Sequence, residues 1–184
     1  MLRKECMELA GEKVFLREIT EKDTDDVLKW RNSETVVKNF IYRKKVTRAE
    51  HMEWLNNKVS AGRVHQFIVC INTTGNAAGS VYLHNFDSTS KSAESGIFLS
   101  EKFLGGGIGT EAYRLLLLYS FETLELHKVK ARVLAYNSAS TRLHEKTGYT
   151  QEAYLREEVF IDGRYEDLIL FGVLEQEWKQ KRIT

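Results

Sequence analysis

The turn Leu104-Gly-Gly-Gly-Ile-Gly109 constrains the fold more than any other stretch of this 184-residue chain. Gly105, Gly106 and Gly107 permit positive φ and let a backbone approach a ligand closely. The segment that follows, 110–124, carries Ala112, Tyr113, an unbroken apolar run from Leu115 to Tyr119, and Phe121. Apolar residues on nearly every side predict a buried helix. Amides at the start of such a helix are unpaired, and its dipole adds partial positive charge. Turn and helix together therefore suit a phosphate or pyrophosphate.

The rest of the chain reads as a single domain spanning 1–184. The chain has no proline, so every turn rests on Gly, Asn, Asp or Ser. Thr20 with Asp23, and Thr47 with Glu50, predict capping boxes opening two helices, the second stopped by Gly62. Strands are expected near 14–17, 66–71, 79–86, 93–99, 129–135, 152–161 and 165–173, the last two joined by an Asp162-Gly163 hairpin turn. A helix entered through Asn137 and closed by Gly148 lies between them, and a short amphipathic tail ends the chain. The expected order is β-α-α-β-β-β-α-β-α-β-β, an α+β (mixed α/β) fold.

Composition excludes several classes. With 27 basic and 26 acidic residues, net charge is +1, and nothing drives binding to nucleic acid or an anionic membrane. The N-terminus lacks an apolar signal region, and no apolar stretch is long enough to span a bilayer. Cys6 and Cys70 give neither a disulfide framework nor metal-ligand spacing. A cytoplasmic protein without a metal is expected.

Two nucleotide-type ligands compete for the glycine turn. Gly107, Gly109 and Ala112 fit the dinucleotide pattern G-x-G-x-x-A. That fold needs an acid at the end of the next strand, where this chain reads Leu134-Ala-Tyr-Asn137. No Gly-Lys-Ser/Thr follows the turn, which excludes a P-loop. Coenzyme A, with its pyrophosphate, is the other ligand.

Here the chain resembles the GNAT superfamily of N-acetyltransferases, which carry Q/R-x-x-G-x-G/A before a long helix. Gly107 and Gly109 match, and Leu104 stands where Gln or Arg is usual. Asn137-Ser-Ala-Ser140-Thr-Arg-Leu-His144-Glu-Lys-Thr-Gly148-Tyr149 resembles the family's second CoA motif, N-x-x-S/A-x-x-L-Y-E-K-x-G-F. The resemblance runs from Val14 to about Trp178. It implies a mostly antiparallel twisted sheet of about seven strands flanked by four helices, with acetyl-CoA as co-substrate. Leu99, Leu104, Gly105, Gly106, Gly107, Ile108, Gly109, Thr110, Asn137 and Ser140 would hold the cofactor.

Acetyl transfer to an amine requires that the amine lose its proton, that the oxyanion find a donor and that the thiolate be protonated. The resemblance implies Glu94 as base and an oxyanion donor near Leu99. It puts His144 where the family has a Tyr that protonates the thiolate. An imidazole, with a reference pKa of about 6.5, can give up a proton near neutrality. His144 either replaces that Tyr or only lines the channel.

Trp30-Arg31-Asn32 resembles segments of the ribosomal-protein-alanine acetyltransferase-like branch and of aminosugar acetyltransferases of the pseudaminic acid pathway; the latter also resemble this chain in Glu50-His51. Trp30, Arg31, Asn32 and His51 are the candidate acceptor residues. Arg31 suits a phosphate or carboxylate, while Trp30 either stacks on the acceptor or belongs to the core. A small-molecule amine is the expected acceptor. Alternatives are a protein N-terminus or a non-catalytic acetyl-CoA-binding module. A polyamine would need acids such as Glu34, Glu50, Glu53 and Glu94 to converge. A homodimer through a sheet edge is also expected to be possible.

Overall fold

The computed structural model describes residues 8–183. Cys6 and the N-terminal residues read above for a signal region lie outside them. Eight strands form one sheet in the order β1-β2-β3-β4-β5-β6-β8-β7. They are β1 (Glu8–Ala10), β2 (Val14–Glu18), β3 (His65–Ile71), β4 (Ala77–Asp87), β5 (Ser92–Leu99), β6 (Lys128–Leu134), β7 (Thr150–Ile161) and β8 (Arg164–Leu174). The helices are α1 (Thr24–Arg31), α2 (Glu34–Val37), α3 (Arg48–Trp54), α4 (Ile108–Leu118), α5 (Ser138–Lys146) and α6 (Glu175–Ile183).

Eight strands replace the expected seven, because the three-residue β1 pairs with β2. The four-residue α2 also escaped the sequence reading, although Ser33 caps it by accepting from the Val36 amide. Both predicted capping boxes form. Asp162 and Gly163 have φ of 49° and 85°, the two positive values that a tight hairpin turn requires.

Every strand pair is antiparallel except β5–β6. That parallel pair is joined through α4, a βαβ unit within an otherwise antiparallel order. Its pairing is short. Ser92, Ala93 and Glu94 meet Lys128, Val129 and Lys130, and no further residues of the two strands pair. Beyond Glu94, β5 runs on to Leu99 against β4 alone, while β6 runs on to Leu134 against β8. The sheet therefore splits into a V at its middle.

Alternation along β4 and β5 sorts side chains onto two faces. Val81 and Leu83 pack with Tyr113 and Leu116 of α4 in the larger core. Ile68 and Phe98 pack with Val27 and Trp30 of α1 in the second. Helices thus cover both faces of the β2–β5 arm. Among the described residues, no helix is long and apolar enough to cross a membrane.

Candidate active site at the split of the sheet

The split leaves one edge of β5 without a strand partner. Ser100 N donates to Ala78 O at 2.8 Å, and alternation then directs the amides of Phe98 and Gly96 toward β4 as well. The amides of Ile97 and Leu99, beyond the last β5–β6 pairing at Glu94 and Lys130, consequently face the cleft. Backbone donors in such a position need a partner from outside the sheet.

The glycine turn lies just beyond. Gly105, Gly106 and Gly107 all have positive φ, of 87°, 58° and 84°. The first helical bond of α4 runs from Glu111 N to Gly107 O at 3.0 Å, so the Gly109 and Thr110 amides precede the ladder. Leu104 is 61% exposed and makes no wall to the turn. At Gly109 a Cβ would stand 3.4 Å from Leu99 Cδ1 and 3.7 Å from both Ile97 Cδ1 and Leu143 Cδ1. Gly109 thus lies where α4, β5 and α5 meet. Asn137 caps α5 by accepting from Ser140 N at 3.1 Å, beside the same cleft face. Turn, strand edge and α5 terminus together fit an extended ligand with a pyrophosphate at one end.

Sequence reasoning missed what holds this turn. The Glu111 carboxylate accepts from the backbone amides of Glu12 and Lys13, and Lys13 Nζ donates to Gly106 O at 2.8 Å. The β1–β2 turn is thereby tied to the start of α4 and brings a cation to the glycine amides. Its sequence signal is weak, because the partners stand about a hundred residues apart.

On the opposite face, β5 presents Glu94, Gly96 and Phe98 beside His84, Tyr82 and Ser80 of β4. Glu94 is a quarter exposed and stands 3.9 Å from His84 Nε2. Burial holds the His84 imidazole below its usual pKa despite the Glu94 charge. The Tyr82 ring lies across Gly96, where any Cβ would collide with it. Burial pushes the Tyr82 hydroxyl up to about 12, with Arg31 pulling the other way and Glu94 adding to the rise. Tyr82 therefore feels both a cation and an anion, a role no local sequence pattern marks.

The candidate acceptor residues separate in the structure. Trp30 is 6% exposed within the α1-side core, so its ring is not available for stacking. The i, i+3 spacing of Val27 and Trp30 already pointed inward. Asn32 spends both ends of its amide on the Val46 backbone, at 2.8 Å each. His51 is buried, and the charged groups that act on it are Arg48 and Asp23. Glu50 caps α3 and pairs with Lys44. Of the four, only Arg31 is electrostatically coupled to the Tyr82 site.

His144 also differs from expectation. It is 2% exposed, stacked on Phe171 with ring centroids 5.3 Å apart and edge-on to Tyr113 and Tyr149. Nδ1 lies 2.7 Å from the Ser140 carbonyl, which can only accept, so Nδ1 carries the proton. Nε2 is buried without a partner, and burial lowers the pKa to about 4. A neutral ring bonded in this way offers a lone pair at Nε2 and no proton for a thiolate. Its apolar surroundings argue against the acid role.

One segment bridges the two arms of the V. Tyr136, just past β6, donates to Lys38 O at 2.6 Å, and Arg43 pairs with Asp162 of the β7–β8 turn. Ile41 packs on the small core of Leu134, Ile161 and Leu168. Segment 38–46 thus spans the split on the acceptor side.

The model of the acetyltransferase (GNAT) domain matches residues 13–150. The chain belongs to the GNAT acetyltransferase family. Members of this family are acetyl-CoA-dependent N-acetyltransferases. YdaF of Bacillus subtilis, provisionally named a ribosomal N-acetyltransferase, is 33% identical over 108 residues, 59% of each chain. The chain thus spans less than two thirds of that relative. Spermidine N(1)-acetyltransferase of Vibrio cholerae is 30% identical over 129 residues, 70% of this chain and 75% of that protein. The Vibrio cholerae spermidine N-acetyltransferase crystallised with CoA and spermine superposes with a TM-score of 0.86 at 25% identity. That match covers 92% of this chain and 99% of the other.

Proposed function

We propose that this GNAT protein moves the acetyl group of acetyl-CoA directly to the primary amine of a small molecule, with both substrates bound at once. The observation that carries the reading is the parting of β5 and β6 at Glu94. It opens unpaired β5 amides beside the glycine turn on one side and sets a carboxylate at the apex on the other. Direct transfer is further supported by the lack of a suitable nucleophile among the described residues. Cys70 is buried, and the Ser95 hydroxyl is engaged with Tyr149 and Lys130 O.

In this reading the amides of Gly107, Gly109 and Thr110 bind the pyrophosphate, with Lys13 adding charge. Gly105, Gly106 and Ile108 shape the turn, the exposed Leu104 precedes it, and Asn137 and Ser140 flank the pantetheine arm. Glu94, directly or through one water, takes the proton from the incoming ammonium. The free amine then attacks the acetyl carbonyl, and the C–N bond forms. The Leu99 amide, with Ile97 beside it, donates to the oxygen as its charge grows. The C–S bond then breaks, the nitrogen releases its second proton to solvent, and the thiolate takes a proton from solvent, since His144 has none to give. His144 is a positioning residue that holds the Ser140 turn of α5 against Tyr113.

The bridge across segment 38–46 supports a small acceptor rather than an extended peptide, because it closes one side of the cleft. The names of the spermidine-acetylating relatives also support a small amine. Initial rates over a grid of acetyl-CoA and amine concentrations test the mechanism. Intersecting reciprocal lines are expected. Parallel lines, or an acetylated protein isolated without acceptor, would overturn direct transfer.

A further inference from the structure

Arg31 is the least satisfied charge in the acceptor region. Its Nη2 donates to Tyr42 O at 2.8 Å, and its guanidinium carbon stands 4.0 Å from the Phe40 ring centroid. Nη1 is buried and has no hydrogen-bond partner. None of the ion pairs among the described residues includes Arg31. Burial is the main cause lowering its pKa, and the one group that opposes this is Tyr82. A buried charged N–H left unpaired costs more than a neutral one, so a partner from outside the chain would relieve it. Tyr82 ties this cation to the reaction centre, since it lies over Gly96 and senses both Arg31 and Glu94.

Resting on the direct-transfer reading, we infer that the acceptor carries an anionic group, a carboxylate or phosphate, which Arg31 Nη1 binds while the amine lies at Glu94. The two charges of the site would then match an amine at one end and an anion at the other. A polyamine meets the opposite pattern, because its second ammonium would face an uncompensated guanidinium. Of the acids that a polyamine site would draw on, Glu50 is already engaged. Glu50 pairs with Lys44 beside Thr47, while Glu94 is the acid that Tyr82 senses alongside Arg31.

The test compares matched acceptors by thiol release from acetyl-CoA. Glucosamine 6-phosphate is set against glucosamine, β-alanine against its carboxamide, and spermidine serves as the cationic reference. The wild-type protein should favour the anionic member of at least one pair by about tenfold or more in kcat/KM, the pair revealing whether phosphate or carboxylate is preferred. Arg31→Gln should bring that ratio to within about twofold of unity, and Arg31→Lys should keep part of it. Melting curves establish that both variants fold. If Arg31→Gln does not, the wild-type preference and Arg31→Lys still decide. Preference for spermidine or for the uncharged members, an Arg31→Gln ratio equal to wild type, or no turnover with any acceptor overturns the inference. Calorimetry with acetyl-CoA separates the two levels: retained binding sinks the anion site alone, and lost binding sinks the direct-transfer reading as well.

Discussion

The two sides of the split differ in what they are made of. The cofactor side is built from backbone: three left-handed glycines, the first amides of α4 and the free edge of β5. The acceptor side is built from side chains on α1, β4 and β5, with Arg31, Tyr82 and Glu94 brought together across some sixty residues of chain. Backbone recognition tolerates changes of side chain, which is why Leu104 can stand where the family has a polar residue. Side-chain recognition has no such tolerance, and the proposed reading concentrates specificity for the acceptor there.

Substitutions on each side should therefore fail in different ways. Glu94→Gln is expected to have the largest effect, lowering kcat at neutral pH by about 100-fold while leaving acetyl-CoA affinity unchanged. The deficit should shrink as pH rises and the amine loses its proton unaided. A uniform deficit across pH would remove Glu94 as base.

Gly107→Val should act on the other side. It puts a β-branched residue at φ 84° and crowds Lys13 Nζ, 3.3 Å from the new Cβ. Acetyl-CoA affinity should fall by about 30-fold, near 2 kcal/mol, with acceptor preference retained. Lys13→Ala should raise the KM for acetyl-CoA by only about threefold, and the difference should fade at high salt, because this cation is exposed.

His144→Phe is the smallest change in turnover, expected within about a factor of two, since a Phe ring can keep the stack on Phe171. A tenfold loss would restore His144 as an acid. Its effect belongs to stability instead. The folded pKa of about 4 lies below the ordinary 6.5, so the unfolded chain binds the proton first as pH falls. Stability is full above 6.5 and declines down to about 4, by roughly 3 kcal/mol from this group. His51 and His84, whose pKa values burial also lowers, add in the same direction. Melting temperatures of His144→Phe should fall less between pH 7 and pH 4.5 than those of wild type.

The same contrast explains what was legible in the sequence. Glycine turns, capping boxes and the Asp162-Gly163 hairpin are local, and each was read correctly from a few adjacent residues. The sheet split was not legible, because it depends on where two strands separated by α4 stop pairing. Tyr82, Lys13 and Glu111 were missed for a related reason: their partners are distant in sequence. Trp30 and His144 each carry two readings in the sequence, and burial favours the structural one for both rings. For Trp30 the helical spacing from Val27 already carried that information. For His144 no local pattern shows that Phe171 closes over the ring.

Thiol release from acetyl-CoA, with and without added amine, tests the central claim most directly. The expected result is release that requires an amine, saturates with it, and yields one acetylated amine for each thiol. Release at the same rate without any amine, or no binding of acetyl-CoA at the glycine turn, would contradict it.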